Sequence, residues 1–228
     1  MDHRLWTKKL KKRITMSKFT QENIETLEQI ILARRDVRGN RFTDTPVAQK
    51  DIDKILFAGV NAPSVGFSQP WEFVVIKDLA IRNKIKESFF EENEKAKQLF
   101  EAKKADAYTQ LKLEGIVESA LNMAVFYKPS KHPVLGQTSM KEAGVYSVVC
   151  AIQNMWLMAR ALNIGLGWVS ILDPNKIKTI LNAPEDRQLI GYLCLGHVDK
   201  FYENPELERL QWEKRKNIND VVIKESYQ

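Results

Sequence analysis

The segment Arg34-Arg35-Asp36-Val37-Arg38 sets three guanidinium groups around one carboxylate, directly after the amphipathic run Ile24, Leu27, Ile30, Ile31. Read as a helix end, arginines at i, i+1 and i+4 project in several directions around one point, and their planar forks of donors suit a multiply charged phosphate ester. Asp36 adds a group that only accepts hydrogen bonds when ionised and that can take up a proton or orient a reacting group. The same residues also fit a plainer reading, a solvated basic helix end in which Asp36 is paired with one of its arginines.

Two further segments carry candidate chemistry. Ala62-Pro63-Ser64-Val65-Gly66-Phe67-Ser68-Gln69-Pro70-Trp71 is a shaped loop: Pro63 and Pro70 restrict the backbone, Gly66 permits positive φ, and Ser64 and Gln69 offer short polar groups. Gly165-Leu166-Gly167-Trp168-Val169-Ser170 combines two glycines that allow close approach with a terminal hydroxyl. A lone serine in that place is ordinarily a turn or capping residue. Arg215, between Lys214 and Lys216, reads equally as surface charge or as one more phosphate ligand.

Positioning these residues requires several elements. Thr20 can cap a first helix, and a second spans roughly 49–60. A strand near 71–76 follows the shaped loop, and the charged stretch 80–114, with a sparse apolar stripe through Phe89, Leu99, Phe100 and Tyr108, reads as a solvated helical excursion. A second strand covers Asn122 to Tyr127. Val145, Val148, Ile152, Met155, Trp156 and Ala159 then make one face of a helix predicted to be buried on most sides and to stop at Asn163 to Gly165. Strands are expected at Trp168–Ile171 and Ile190–Leu195, with a short helix between them started by Asp173-Pro174. A last strand is expected at Val221-Val222-Ile223, reached through a polar arm.

Length and charge narrow the field. At 228 residues the chain suits one large domain, able to bury about 70% of its unfolded surface and to hold a deep pocket. Arg4, Lys8, Lys9, Lys11, Lys12 and Arg13 account for as much charge as the net +6, so the body is close to neutral. Residues 1–18 are expected to be a solvated basic extension, with Met16 reading as a natural start, and a nucleic-acid arm is the weaker alternative. No run of 18 apolar residues or secretory signal is present, and the reading is a cytoplasmic protein with no membrane and no nucleic-acid partner. Cys150 and Cys194 read as small buried hydrophobes. His3, His132 and His197 lack metal-ligand spacing, and Walker, GxGxxG and GxSxG patterns are missing.

In order and spacing, Arg34–Arg38, the loop 62–71 and the run 165–170 resemble the nitroreductase-like flavoproteins over roughly residues 20–224. The resemblance implies an α+β fold, a mixed sheet flanked by helices, with the C-terminal strand exchanged across a homodimer. It implies a domain at 19–228 that binds flavin mononucleotide (FMN), and gives the excursion at about 80–114 the part of a lid over the flavin. Contacts to FMN would come from Arg34, Arg35, Asp36, Val37, Arg38, Ser64, Gln69, Leu113, Gly167, Trp168, Ser170 and Arg215.

Within that family Asp36 discriminates. Ordinary flavin reductases commonly carry serine there, whereas this chain is similar to a flavin-destroying branch in which dioxygen breaks reduced FMN into 5,6-dimethylbenzimidazole, the lower ligand of cobalamin, and a four-carbon sugar phosphate. Asp36 and Ser170 would be catalytic, with no metal; a flavin reductase is one candidate supplier of the reduced FMN, a source the sequence leaves open. The rival is an NAD(P)H oxidoreductase that recycles FMN while reducing nitroaromatics, flavin or a cobalt corrinoid. Gln137, in the segment Leu135–Ser139, stands where the resemblance implies a basic residue.

Overall fold

In the computed structural model, residues 18–100 and 102–227 are described. The basic segment expected at the N-terminus lies almost wholly outside them. The chain divides into two compact units, one up to Leu32 and one from Ala33 onward.

In the first unit, Thr20 and Asn23 close the start of helix α1 (Gln21–Ala33) as expected: the Thr20 carbonyl accepts from Asn23 and Ile24, and the Asn23 side chain accepts from the Thr20 amide.

The second unit is built on a four-stranded sheet of order β1-β2-β4-β3, with β1 (Trp71–Ile76), β2 (Leu121–Tyr127), β3 (Gly165–Val169) and β4 (Gln188–Gly196) all paired antiparallel. β2 and β4 are central, which is why they read as unbroken apolar runs rather than alternating ones. Their alternation resolves into two cores. Leu121, Met123, Val125, Leu193 and Leu195 face helices α2 (Gln49–Val60) and α5 (Ala143–Ala161). Ala124, Phe126, Tyr192 and Cys194 face the opposite side, with Ile85 and Phe89 of helix α3 (Leu79–Lys97) and Ile177 of helix α6 (Pro174–Ile180). A short helix α4 (Ala102–Thr109) follows α3, and α7 (Glu206–Arg209) lies in the C-terminal arm.

Local signals held where the chemistry is local. Asp173 caps α6 by accepting from Asn175 and Lys176, with Pro174 in the first turn. Helix α5 stops at a Schellman turn, in which Ile164 N–H reaches Ala159 O (2.8 Å) and Asn163 N–H reaches Arg160 O. The left-handed residue is Asn163 (φ 56°) and not a glycine; Gly165 already belongs to β3.

Two expectations are corrected. The strand placed at 168–171 begins at Gly165 and ends at Val169, because pairing with β4 runs from Gly165↔Gly196 to Val169↔Tyr192, leaving Ser170 and Ile171 outside. Cys150 is exposed: it lies with Tyr146, Val149 and Gln153 on the one open stripe of α5, a helix otherwise buried or half-buried, as expected, up to its last residue. Cys194 is buried as expected, and burial pushes its thiol up to about 12. Val221-Val222-Ile223, expected as a strand exchanged across a homodimer, pairs with no strand of its own chain among the described residues and stays more than half exposed.

Candidate active site

The residues that open the site do not sit on a helix end. α1 stops at Ala33, and the chain then runs along the outer edge of β3, where Asp36 bridges Leu166 in parallel and Val37 N–H donates to Leu166 O (3.1 Å). An edge strand offers unpaired backbone groups, and this segment covers them. The Asp36 carboxylate takes part, since its Oδ1 accepts from Trp168 N–H (3.0 Å). Val37 points inward and is buried, whereas the arginines are only partly so.

They fan apart rather than converging. Arg34 lies over the Trp156 ring, 4.7 Å from its centroid. Arg35 donates to the carbonyls of Arg34 (2.7 Å), Tyr202 (2.9 Å) and Glu203. Arg38 pairs with Asp36 Oδ2 and donates to Leu113 O (3.0 Å). The ion-pair reading of Asp36 is therefore correct in structure, with Arg38 as its partner, and the helix-end reading is not. The same contact gives Leu113 its place, joined to the cradle through its carbonyl, while Gly39 N–H fastens the neighbouring Glu114 O (2.8 Å). The sequence reading passed over Glu114 and Arg160 and took Trp156 as part of a buried helix face; Trp156 donates to Arg35 O (3.0 Å) and Arg160 to Ala33 O (2.9 Å), so that α5 holds this segment in place.

The electrostatics set several cations beside a buried carboxylate. Burial and then the like charges of Arg34, Arg215 and Arg160 pull the Arg35 guanidinium below its ordinary value, so Arg215 is brought within the field of Arg35. Asp36 moves the other way: burial raises its carboxyl above the usual range, against the opposing pull of Arg38, the Trp168 amide and Arg34. Its side chain nevertheless keeps 33% of its surface open. Ser170 follows β3 directly and is exposed. Trp168 is half-buried against Trp156, ring centroids 6.3 Å apart.

Gly167 has a different explanation from the one expected. A Cβ there would lie 2.1 Å from the Val37 carbonyl oxygen, and one on Gly165 would lie 2.5 Å from a Val198 methyl. The space that a flat ring was expected to use on that side is filled by the chain itself.

Ser64 and Gln69 form a second group. Ser64 Oγ accepts from Gln69 N–H (3.1 Å), Val65 N–H donates to Ser147 Oγ (3.0 Å), and Gly66 (φ 54°) packs so closely on Leu135 that a Cβ would meet its carbonyl at 2.6 Å. Gln69 lines a cavity of about 730 Å³ with Tyr127, Gln137 and Arg187. Gln137 itself donates to Tyr127 Oη (3.1 Å) and Lys141 O (2.9 Å). The Asp36 group rests on Trp156 and Arg160, and this one on Ser147; nine residues of α5 separate them, roughly 13 Å at a helical rise of about 1.5 Å per residue. One chain does not bring the two groups together.

Among the described residues no group of histidine, cysteine and carboxylate side chains could hold a metal ion, and no helix is long and apolar enough to cross a membrane.

The sequence profile of the nitroreductase family matches residues 31–197, a stretch that runs from the arginine segment to the end of the sheet. The chain belongs to the nitroreductase family. Family members of known sequence include a 5,6-dimethylbenzimidazole synthase of Rhodospirillum rubrum, 41% identical over 83% of this chain and 90% of its own. Another, from Rhodobacter capsulatus, is 35% identical over 86% of this chain and 95% of its own. Among solved nitroreductase-fold structures, oxidized iodotyrosine deiodinase bound to FMN and 3-iodo-L-tyrosine superposes with a TM-score of 0.71 at 17% identity, covering 88% of this chain and all of that one. The Vibrio harveyi NADPH:FMN oxidoreductase complexed with NAD+ gives 0.67 at 21% identity, covering 89% and 78%. At these identities the structures establish the α+β nitroreductase fold.

Proposed function

We propose that the chain breaks reduced FMN down with dioxygen to 5,6-dimethylbenzimidazole and a four-carbon sugar phosphate, in the making of the cobalamin lower ligand. The observation that carries the reading is a carboxylate, Asp36, held by Arg38 and the Trp168 amide in a cationic segment of a nitroreductase-family chain. The 41% identity to the R. rubrum synthase supports it. When bound, reduced FMN supplies both the carbon skeleton of the product and the electrons that dioxygen accepts.

The chain's own residues fit an FMN ligand, because the like charges of Arg34, Arg215 and Arg160 bear on Arg35 and only Glu208 offsets them, a balance that a bound phosphate would shift further. Arg35 and Arg215 would hold the phosphate, Arg34 on its tryptophan shelf and Arg38 would neutralise the ring's polar edge, and Val37, Leu113 and Trp168 would form the wall. Asp36 would accept and return a proton near the ribityl chain, kept in one orientation by its two donors. Ser170 Oγ, exposed next to the strand that carries Trp168, would orient the reacting oxygen. Helices α3 and α4, with the segment that follows them to Leu113, would act as the lid that excludes water.

Ser64 and Gln69 enter this site from a second copy. Their separation from Asp36 along α5 supports a homodimer, and so does the exposed stripe Tyr146, Val149, Cys150, Gln153 on the same helix. Val221–Ile223 would then find strand partners on the neighbouring chain. Val149→Arg is expected to yield a monomer by light scattering and to lower FMN affinity at least tenfold, since each cradle loses the other chain's loop.

The deciding test mixes purified protein with reduced FMN and air and follows the products by mass spectrometry. The expected result is one 5,6-dimethylbenzimidazole per FMN lost, with a cytoplasmic flavin reductase able to replace chemical reduction. FMN recovered intact, with steady NAD(P)H oxidation, would assign the chain to the recycling reductases instead.

A further inference from the structure

The C-terminal arm leaves the sheet at β4 and is stitched to the cradle at once. Arg35 donates to Tyr202 O and Glu203 O, Arg160 lies over the Phe201 ring at 4.1 Å, and Arg209 of α7 lies over the Tyr202 ring at 4.0 Å. α7 then ends in a Schellman turn: Trp212 N–H reaches Leu207 O (2.8 Å), Gln211 N–H reaches Glu208 O (3.0 Å), and Gln211 takes the left-handed conformation (φ 58°). That turn fixes the direction in which Trp212 leaves the arm.

Trp212 meets the excursion α3–α4. Its ring packs edge-on against Phe100 (centroids 5.3 Å, 81°) and tilted against Tyr108 (6.2 Å), while Phe100 and Tyr108 stack on each other at 5.0 Å. Lys104 Nζ lies 5.6 Å from the indole centroid. Tyr108 is buried and its hydroxyl donates to Asn93 Oδ1 of α3 (2.8 Å), so the cluster joins both helices. Among the described residues from Gln211 to the C-terminus, Trp212 alone is not exposed. It is the point at which this stretch grips the rest of the unit, and Arg215 follows three residues later.

We propose that Trp212 is a positioning residue that latches the α3–α4 lid and couples its closure to occupation of the arginine cradle by a phosphate ester. A phosphate drawn to Arg35 and Arg215 would fix the arm at both ends of the 202–215 stretch, and the indole between them would be held on Phe100 and Tyr108. The proposal rests on the FMN reading for its ligand, while the latch itself rests on the aromatic cluster.

Hydrogen exchange of the full-length protein separates the two. Without ligand, Trp212→Ala is expected to speed exchange of the amides of residues 104–111 at least tenfold. Trp212→Phe should stay within about threefold of wild type, and the β4 amides 188–196 should be unchanged in both. Saturating oxidised FMN should slow exchange at 104–111 in wild type at least threefold, riboflavin should do so less, and Trp212→Ala should show no such protection while still quenching FMN fluorescence. Equal exchange at 104–111 in wild type and Trp212→Ala overturns the latch, whatever FMN does. Loosening by Trp212→Ala with FMN protection intact overturns the coupling. A wild type that leaves FMN fluorescence unquenched removes the FMN reading and the coupling, with the latch still judged by the ligand-free comparison.

Discussion

Replacing Asp36 by serine is expected to lower 5,6-dimethylbenzimidazole formation by about 100-fold or more, while reduced FMN is still oxidised by air and recovered whole. A positioned proton carrier is worth about 10²–10⁴ in rate, and a hydroxyl in its place cannot supply a carboxylate's basicity. Asp36→Asn is the informative partner to this variant. The amide keeps an acceptor oxygen for Trp168 N–H but loses the charge that meets Arg38. If Asp36 served only to fasten residues 36–37 along β3, the asparagine variant would retain activity; as a proton carrier it should be as inactive as the serine variant.

The pH dependence follows from the same group. Burial lifts the Asp36 carboxyl above its ordinary value of 3.8, so the folded protein holds that proton more tightly than the unfolded chain does. Its contribution to stability is full below the unfolded value and is lost as pH rises through the folded one. Neutral at every pH, Asp36→Asn escapes this loss. Its melting temperature should therefore gain on wild type as pH rises across that window. Activity runs in the opposite sense: the proton acceptor is the ionised form, so product formation should rise with pH through a midpoint above 3.8 that disappears in the asparagine variant. A pH–rate profile unchanged by the substitution would remove Asp36 from the chemistry.

How much of this was legible in the sequence depends on the distance over which each contact acts. Helix 49–60, strand 71–76 and the Asp173-Pro174 start of α6 are set by neighbours within a few residues, and all three stand where periodicity and capping put them. The conformation of Arg34–Arg38 is set by β3, whose Trp168 amide lies 132 residues away from Asp36, and no local pattern could announce that a helix would give way to an edge bridge there. Cys150 shows a second limit. A stripe of Tyr146, Val149 and Cys150 has the composition of a core, and apolar spacing cannot tell a face covered by the same chain from one left for a partner. Order along the chain put Asp36, Ser64 and Gln69 into one candidate site, but not their division between the two ends of α5, because residue order does not say how far apart a helix holds two segments.

Gly167→Ala should be the most damaging single-atom addition in the site. The new Cβ would lie 2.1 Å from the carbonyl oxygen of Val37 and 3.5 Å from Asp36 Oδ1. A backbone carbonyl cannot turn aside as a side chain can, so residues 36–37 must move off β3. Overpacking of this kind costs about 1–3 kcal/mol, which for a domain of this size lowers the melting temperature by roughly 2–4 °C per kcal/mol. Function should suffer more than stability. Moving the carboxylate by about 1 Å takes it out of reach of the Trp168 amide, and a displacement of that size commonly costs about 100-fold in rate. Gly165→Ala provides the comparison: its Cβ would meet Val198 and Val37 methyl groups, at 2.5 and 3.2 Å, side-chain atoms rather than the backbone that carries Asp36. Product formation in Gly165→Ala should stay within about fivefold of wild type. Equal losses in the two variants would mean that β3 tolerates no side chain at either position for reasons unrelated to Asp36, and that the seat of the carboxylate on Trp168 is not what Gly167 protects.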